Sequence, residues 1–100
     1  MAVVKVRVLH QALVTKGFEE QDNDHKRYFL LVGGRRTAIN TKVSHGEREI
    51  GDKLAGLMAR QLFLSRREFD QLIDCTLGYE AYLTLLRARQ RLPEAPRQQA

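Results

Sequence analysis

The stretch Lys26–Val43 narrows the choice of fold more than any other part of the chain. Lys26-Arg27-Tyr28-Phe29-Leu30-Leu31-Val32 is dense in residues that favour extended backbone. Arg36–Val43 alternates, with Thr37, Ile39, Thr41 and Val43 on one side and Arg36, Ala38, Asn40 and Lys42 on the other. Between the two runs stands Gly33-Gly34, a pair that accepts left-handed turn geometry and joins two strands into a hairpin. Upstream, the short run Phe18–Gln21 is separated from Lys26 by the turn-forming Asp22-Asn23-Asp24, which adds a third strand at the edge. The result is an antiparallel three-stranded meander with at least one apolar face that something must cover.

Helices on both sides supply that cover. Val4, Val6 and Val8 alternate like a strand, but Val6, Leu9 and Leu13 also share a helical face, and the stop at Lys16-Gly17 favours a helix over about residues 5–16. After the sheet, Ile50, Leu54, Leu57, Met58 and Leu62 form an amphipathic stripe, with Gly56 marking close packing on the sheet. Ser65-x-x-Glu68 has the spacing of a capping box, so a second helix begins at Ser65 with Phe69, Leu72 and Ile73 inward. A third starts at Gly78, with Tyr79, Tyr82, Leu83 and Leu86 inward. The order α-β-β-β-α plus two helices is an α+β fold. With 100 residues the chain has room for one domain, residues 1–92, made of a core over 5–64 and a helical extension over 65–92; Pro93 and Pro96 mark a flexible tail over 93–100.

Composition excludes several classes. The net charge is +5, but Arg87–Ala100 holds four Arg and one Glu, so +3 of it belongs to the C-terminal stretch and the sum alone does not argue for a nucleic-acid partner. No apolar run approaches the ~20 residues of a membrane span. Charges interrupt the N-terminal valines, unlike a secretory signal, and the single cysteine, Cys75, cannot form an internal disulfide; both suit the cytoplasm. The three histidines are scattered and lack the Cys/His spacing of a zinc site, and neither a P-loop nor a dinucleotide-binding glycine motif is present, so no metal or cofactor is expected.

Three polar clusters are candidates for chemistry. Asp24-His25-Lys26-Arg27-Tyr28 places a histidine where a turn becomes a strand, beside cations; an imidazole titrates near neutrality and suits acid/base work on a phosphodiester, although Asp22 and Asp24 repel phosphate. Lys42-Val43-Ser44-His45-Gly46-Glu47 reads first as a capped helix start and second as a phosphate-holding turn. Arg35, Arg36, Lys42, Lys26 and Arg27 gather on two adjacent strands with Tyr28, a composition that suits a sugar-phosphate backbone. Each cluster also has a plain structural reading: a surface turn, a helix cap, a solvated face.

Taken in order, Gly17-Phe18, Asp24-His25-x-x-Tyr28, Thr41-x-x-x-His45-Gly46, Glu49 and the Leu-rich helix ending Arg60-Gln61-Leu62 resemble the HicA-type (YcfA-like) mRNA interferase toxins over about residues 5–64. The resemblance implies a double-stranded-RNA-binding-like core, metal-independent endonuclease action on RNA with His25 as the catalytic histidine, and a cognate antitoxin as partner. RNA contact falls to Lys26, Arg27, Tyr28, Arg36, Lys42 and His45. Asp24 stands where the family has a small Ser, Val43-Ser44 where it often has Pro, and residues 65–92 exceed its usual length. The added helices are candidates to cover the second sheet face or to pair two copies as a homodimer. Two alternatives remain: a non-catalytic RNA- or protein-binding module on the same fold, and a helix-turn-helix DNA binder through residues 55–74, with Ser65-Arg66-Arg67 opening the recognition helix and Phe63 where the turn usually carries Gly.

Overall fold

The computed structural model describes residues 3–92; the tail expected over 93–100 lies outside them. The elements run β1 (Val4–Lys5), α1 (Val6–Thr15), β2 (Phe18–Asp22), β3 (Lys26–Val32), β4 (Arg35–Val43), β5 (Glu49–Ile50), α2 (Asp52–Gln61), α3 (Arg66–Ile73) and α4 (Tyr79–Ala88). β2, β3 and β4 form the antiparallel meander, and β1 pairs with β5 as a separate ribbon. The fold is α+β as the sequence implies, and the ambiguous N-terminal valines serve both readings, Val4 in a strand and Val6 in a helix.

Local chemistry explains most boundaries. Gly33 and Gly34 have φ of 62° and 78°, the two left-handed positions of a tight hairpin turn. Ser65 accepts from the Glu68 amide while the Glu68 carboxylate accepts from the Ser65 amide, a complete capping box. α1 ends at Gly17, φ 88°. The other three helices end in the same left-handed manner on residues that pay for it sterically: Phe63 (φ 63°), Cys75 (φ 70°) and Gln90 (φ 60°). At each of these stops the next amide reaches back one turn, from Leu64 to Ala59 O, Thr76 to Gln71 O and Arg91 to Leu86 O, at 2.8, 2.9 and 2.8 Å.

The core lies between one sheet face and the helices. Tyr28, Leu30, Ile39, Thr41 and Val43 point inward against Leu9, Leu13, Met58 and Leu62, all nearly or fully buried. β4 carries three residues, Thr37–Ile39, opposite Leu30. The Thr37 hydroxyl donates to Leu30 O at 2.9 Å and accepts from the Ile39 amide at 3.2 Å, so this bulge leaves the strand faces in phase.

Three expectations need correction. Ser44–Glu47 does not start a helix: Glu47 N returns to Ser44 O as a turn, because Glu49–Ile50 are drawn into pairing with β1 and α2 begins only at Asp52. Gly56 marks no close approach, since an added Cβ would meet nothing within 4 Å. The C-terminal helices do not cover the second sheet face. Tyr82 stacks on Phe18 at 6.0 Å and donates to Leu62 O, and Tyr79 donates to Leu31 O, so α4 extends the existing helical layer. Its apolar side, Tyr82, Leu83 and Leu86, is spent within the chain.

Candidate nucleic-acid interface

Strand pairing builds the outer face of the sheet. Arg27 stands directly opposite Lys42, Phe29 opposite both Glu19 and Asn40, and Leu31 opposite Arg36. No described helix lies over this face, and Phe29 and Leu31 are only half-buried. The Arg36 guanidinium stacks 4.2 Å above the Phe29 ring and binds Glu19 Oε1 at 2.9 Å, so its charge is already engaged. Arg27 and Lys42 are exposed and have no acidic partner among the described residues. Like charges directly across a ladder oppose folding, and an anion between them removes that cost.

His25 lies at one end of this sheet, half-buried, lining a small cavity of about 130 Å³ with Lys42 and Ser44 and with Leu57 and Gln61 of α2. It makes no side-chain hydrogen bond among the described residues. The ring is therefore neither sealed under the C-terminal helices nor oriented by an acid or second base. Acid/base chemistry there would draw base and acid in turn from one imidazole, with Lys42 as the nearby cation.

The remaining sequence candidates are elsewhere. Tyr28 is fully buried, so its ring cannot meet RNA; its hydroxyl lies 3.0 Å from His10 Nδ1. Burial, then the charges of Glu20 and Asp22, push that hydroxyl up to about 12, so it stays protonated. His45 is tied through Nε2 to Asp22 Oδ1. Lys26 points to the inner side of the sheet, away from Arg27. Of the seven sequence candidates, only Arg27, Arg36 and Lys42 share the outer face, with His25 beside them.

Sequence reasoning missed His10. It lines a cleft of about 770 Å³ among the start of α1, the turn end of the β2–β3 hairpin and the β4–β5 loop. The signal was present: His10 follows Val6 by four residues and precedes Leu13 by three, at the border of the buried stripe of α1, where a polar side chain faces the sheet edge. Glu20 and Asp22, two apart on β2, likewise share one face of the strand. Among the described residues no group of three or more His, Cys, Asp or Glu is placed to hold a metal ion, and no helix is long and apolar enough to cross a membrane. Comparison of the chain with family models, with curated proteins and with solved structures found no match in any of the three.

Proposed function

We propose that the protein binds RNA through the outer face of its sheet. The observation that carries this is the exposed Arg27–Lys42 pair, two unneutralised cations held side by side on a face that no described helix covers. Cations at strand spacing suit successive phosphates, and the Arg36 guanidinium, stacked on Phe29 between Glu19 and Asn40, offers a flat surface for base stacking. His25, bordering Lys42, is the imidazole nearest a strand bound there, which is how cleavage in the manner of the interferase toxins would reach it. A cognate antitoxin would silence such a protein by occupying the same face. A DNA-reading helix is less well served: Arg66, at the start of α3, is held by Asp52 at 3.1 Å and Asp70 at 2.9 Å.

The test is fluorescence anisotropy with a labelled single-stranded oligoribonucleotide across a salt series. Each phosphate neutralised contributes about 0.7 to the slope of log affinity against log salt for single strands, so the double substitution Arg27→Ala, Lys42→Ala should flatten it by about 1.4. An unchanged slope, or no binding by the unsubstituted protein, refutes the proposal. Growth arrest and RNA loss on induced expression, compared with His25→Ala, decide whether cleavage accompanies binding.

A further inference from the structure

We infer that the cleft beside α1 is an acid/base centre for phosphodiester transfer on RNA, worked by His10 and His45. The inference rests on RNA being the ligand, as above, but places a reacting centre away from His25 and the outer face.

Cleavage of RNA without a metal needs a base at the 2′ oxygen, an acid at the 5′ oxygen and positive charge at the phosphate. His10 and the cations line the cleft, and His45 borders it through Asp22, so all three are within one neighbourhood. Glu20 and Asp22, two residues apart on one side of β2, lie roughly 7 Å from each other by strand geometry. Each holds one imidazole: His10 Nδ1 is 3.7 Å from Glu20 Oε2, and His45 Nε2 binds Asp22 Oδ1. The pairs leave Nε2 of His10 and Nδ1 of His45 without partners among the described residues. The two side chains are 40% and 46% exposed, so a strand reaches both. Tyr28, buried and protonated, fixes the His10 ring from beneath, edge to face at 5.7 Å.

The charge around the rings suits a phosphate better than the lining alone suggests. Four acids line the cleft, but Glu20 and Asp22 are committed to the imidazoles and Glu49 faces Lys5 at 4.0 Å. Arg7, Lys26 and Arg48 also line it and form no ion pair among the described residues, which leaves three cations against Glu47 and, while His45 is neutral, Asp22. A lone surface histidine paired with a carboxylate is ordinary; here two such pairs stand on one strand face with cations around them.

The chemistry balances with these groups. Neutral His45 takes the 2′-hydroxyl proton on Nδ1 while Nε2–H donates to Asp22. The 2′ oxygen bonds to phosphorus, the bond from phosphorus to the 5′ oxygen breaks, and that oxygen takes a proton from Nε2 of protonated His10. The products are a 2′,3′-cyclic phosphate and a 5′-hydroxyl end. Water then reverses the roles. It gives a proton to His10 and its oxygen bonds to phosphorus; the bond to the 2′ oxygen breaks and that oxygen takes its proton from His45, leaving a 3′-phosphate.

The experiment is hydrolysis of uridine 2′,3′-cyclic phosphate by the full chain in the presence of EDTA. His10→Ala and His45→Ala should each lower the rate about 100-fold or more, with the fold checked by circular dichroism. Added imidazole should restore part of the activity, which a merely structural loss would not permit. If His10→Ala does not fold, His10→Gln takes its place. This small substrate does not need the sheet face, so hydrolysis without oligonucleotide binding would sink the sheet proposal and leave the cleft standing. Absence of hydrolysis by the unsubstituted protein, or a wild-type rate in either variant, overturns the cleft assignment even where oligonucleotides bind.

Discussion

Glu68→Gln tests whether one carboxylate ties three helices together. Glu68 Oε1 accepts from the Ser65 amide at 2.8 Å and from Arg89 Nη1 at 2.9 Å, and Oε2 accepts from Arg89 Nη2 at 2.7 Å. Arg89 Nη1 also donates to Phe63 O at 2.7 Å, so the same knot clamps the α2–α3 turn, the start of α3 and the end of α4. The Arg89 bond first, then the Ser65 amide, pull the Glu68 carboxyl from 4.5 to about 2. At about 1.4 kcal/mol per pH unit such a shift corresponds to roughly 3 kcal/mol. Glu68 and Arg89 are 23% and 37% exposed, and solvent screens them, so about 1–2 kcal/mol is the expected cost. For a domain of this size that lowers the melting temperature by roughly 5–15 °C. The sign with pH follows from the lowered value. The stabilisation is complete above the unfolded carboxyl value and is lost as pH falls from about 4.5 to about 2. Urea unfolding of both proteins should therefore show the full gap at about pH 7 and almost none at about pH 2. A gap equal at both pH values, or absent at the higher one, would refute the attribution to the charged knot.

Three further outcomes follow from the fold. Tyr82→Phe removes the donor to Leu62 O inside the core and should cost about 1–2 kcal/mol in chemical denaturation, whereas an unchanged midpoint would mean that carbonyl finds another partner. Gly17→Ala places a Cβ 2.9 Å from the Tyr79 ring at φ 88° and should cost more than about 1 kcal/mol in the same assay, since both backbone and ring oppose it. Gln90→Gly should do the reverse and raise the melting temperature by a few degrees, about 0.5–1 kcal/mol, because its exposed side chain sits at φ 60°; a lower melting temperature would show that the side chain contributes more than its strain costs.

Much of the architecture was written locally. The meander, its Gly33-Gly34 turn and the inward set Ile39, Thr41 and Val43 follow from alternation, since a strand places successive side chains on opposite faces wherever it is. The α3 start at Ser65 follows from two side chains three residues apart. The α2 stripe was legible in period but not in phase. Ala55, Met58, Ala59 and Leu62 turn inward and Leu57 is 44% exposed, because small alanines seat the helix closely and large residues do not announce which side docks. The Arg27–Lys42 pair was not legible: the Gly33-Gly34 turn alone sets Arg27 opposite Asn40, and the two extra residues of the bulge at Thr37–Ile39 move it opposite Lys42.

Other features depended on segments far apart in the chain. Pairing of Val4 with Ile50 turned a helix-start signature at Ser44 into a loop, a contact that no local window contains. Left-handed helix ends at Phe63, Cys75 and Gln90 have no glycine to betray them; the leucine that follows each, Leu64, Leu77 and Leu92, packs on the core. The cleft draws His10 from α1 and Glu20 and Asp22 from β2, and His45 reaches its border from the loop after β4 through Asp22. Sequence alone determined the kinds of element and their faces, because propensity, alternation and capping act within a few residues. Tertiary structure alone decided which polar side chains meet, because that depends on how independent elements settle to bury their apolar faces.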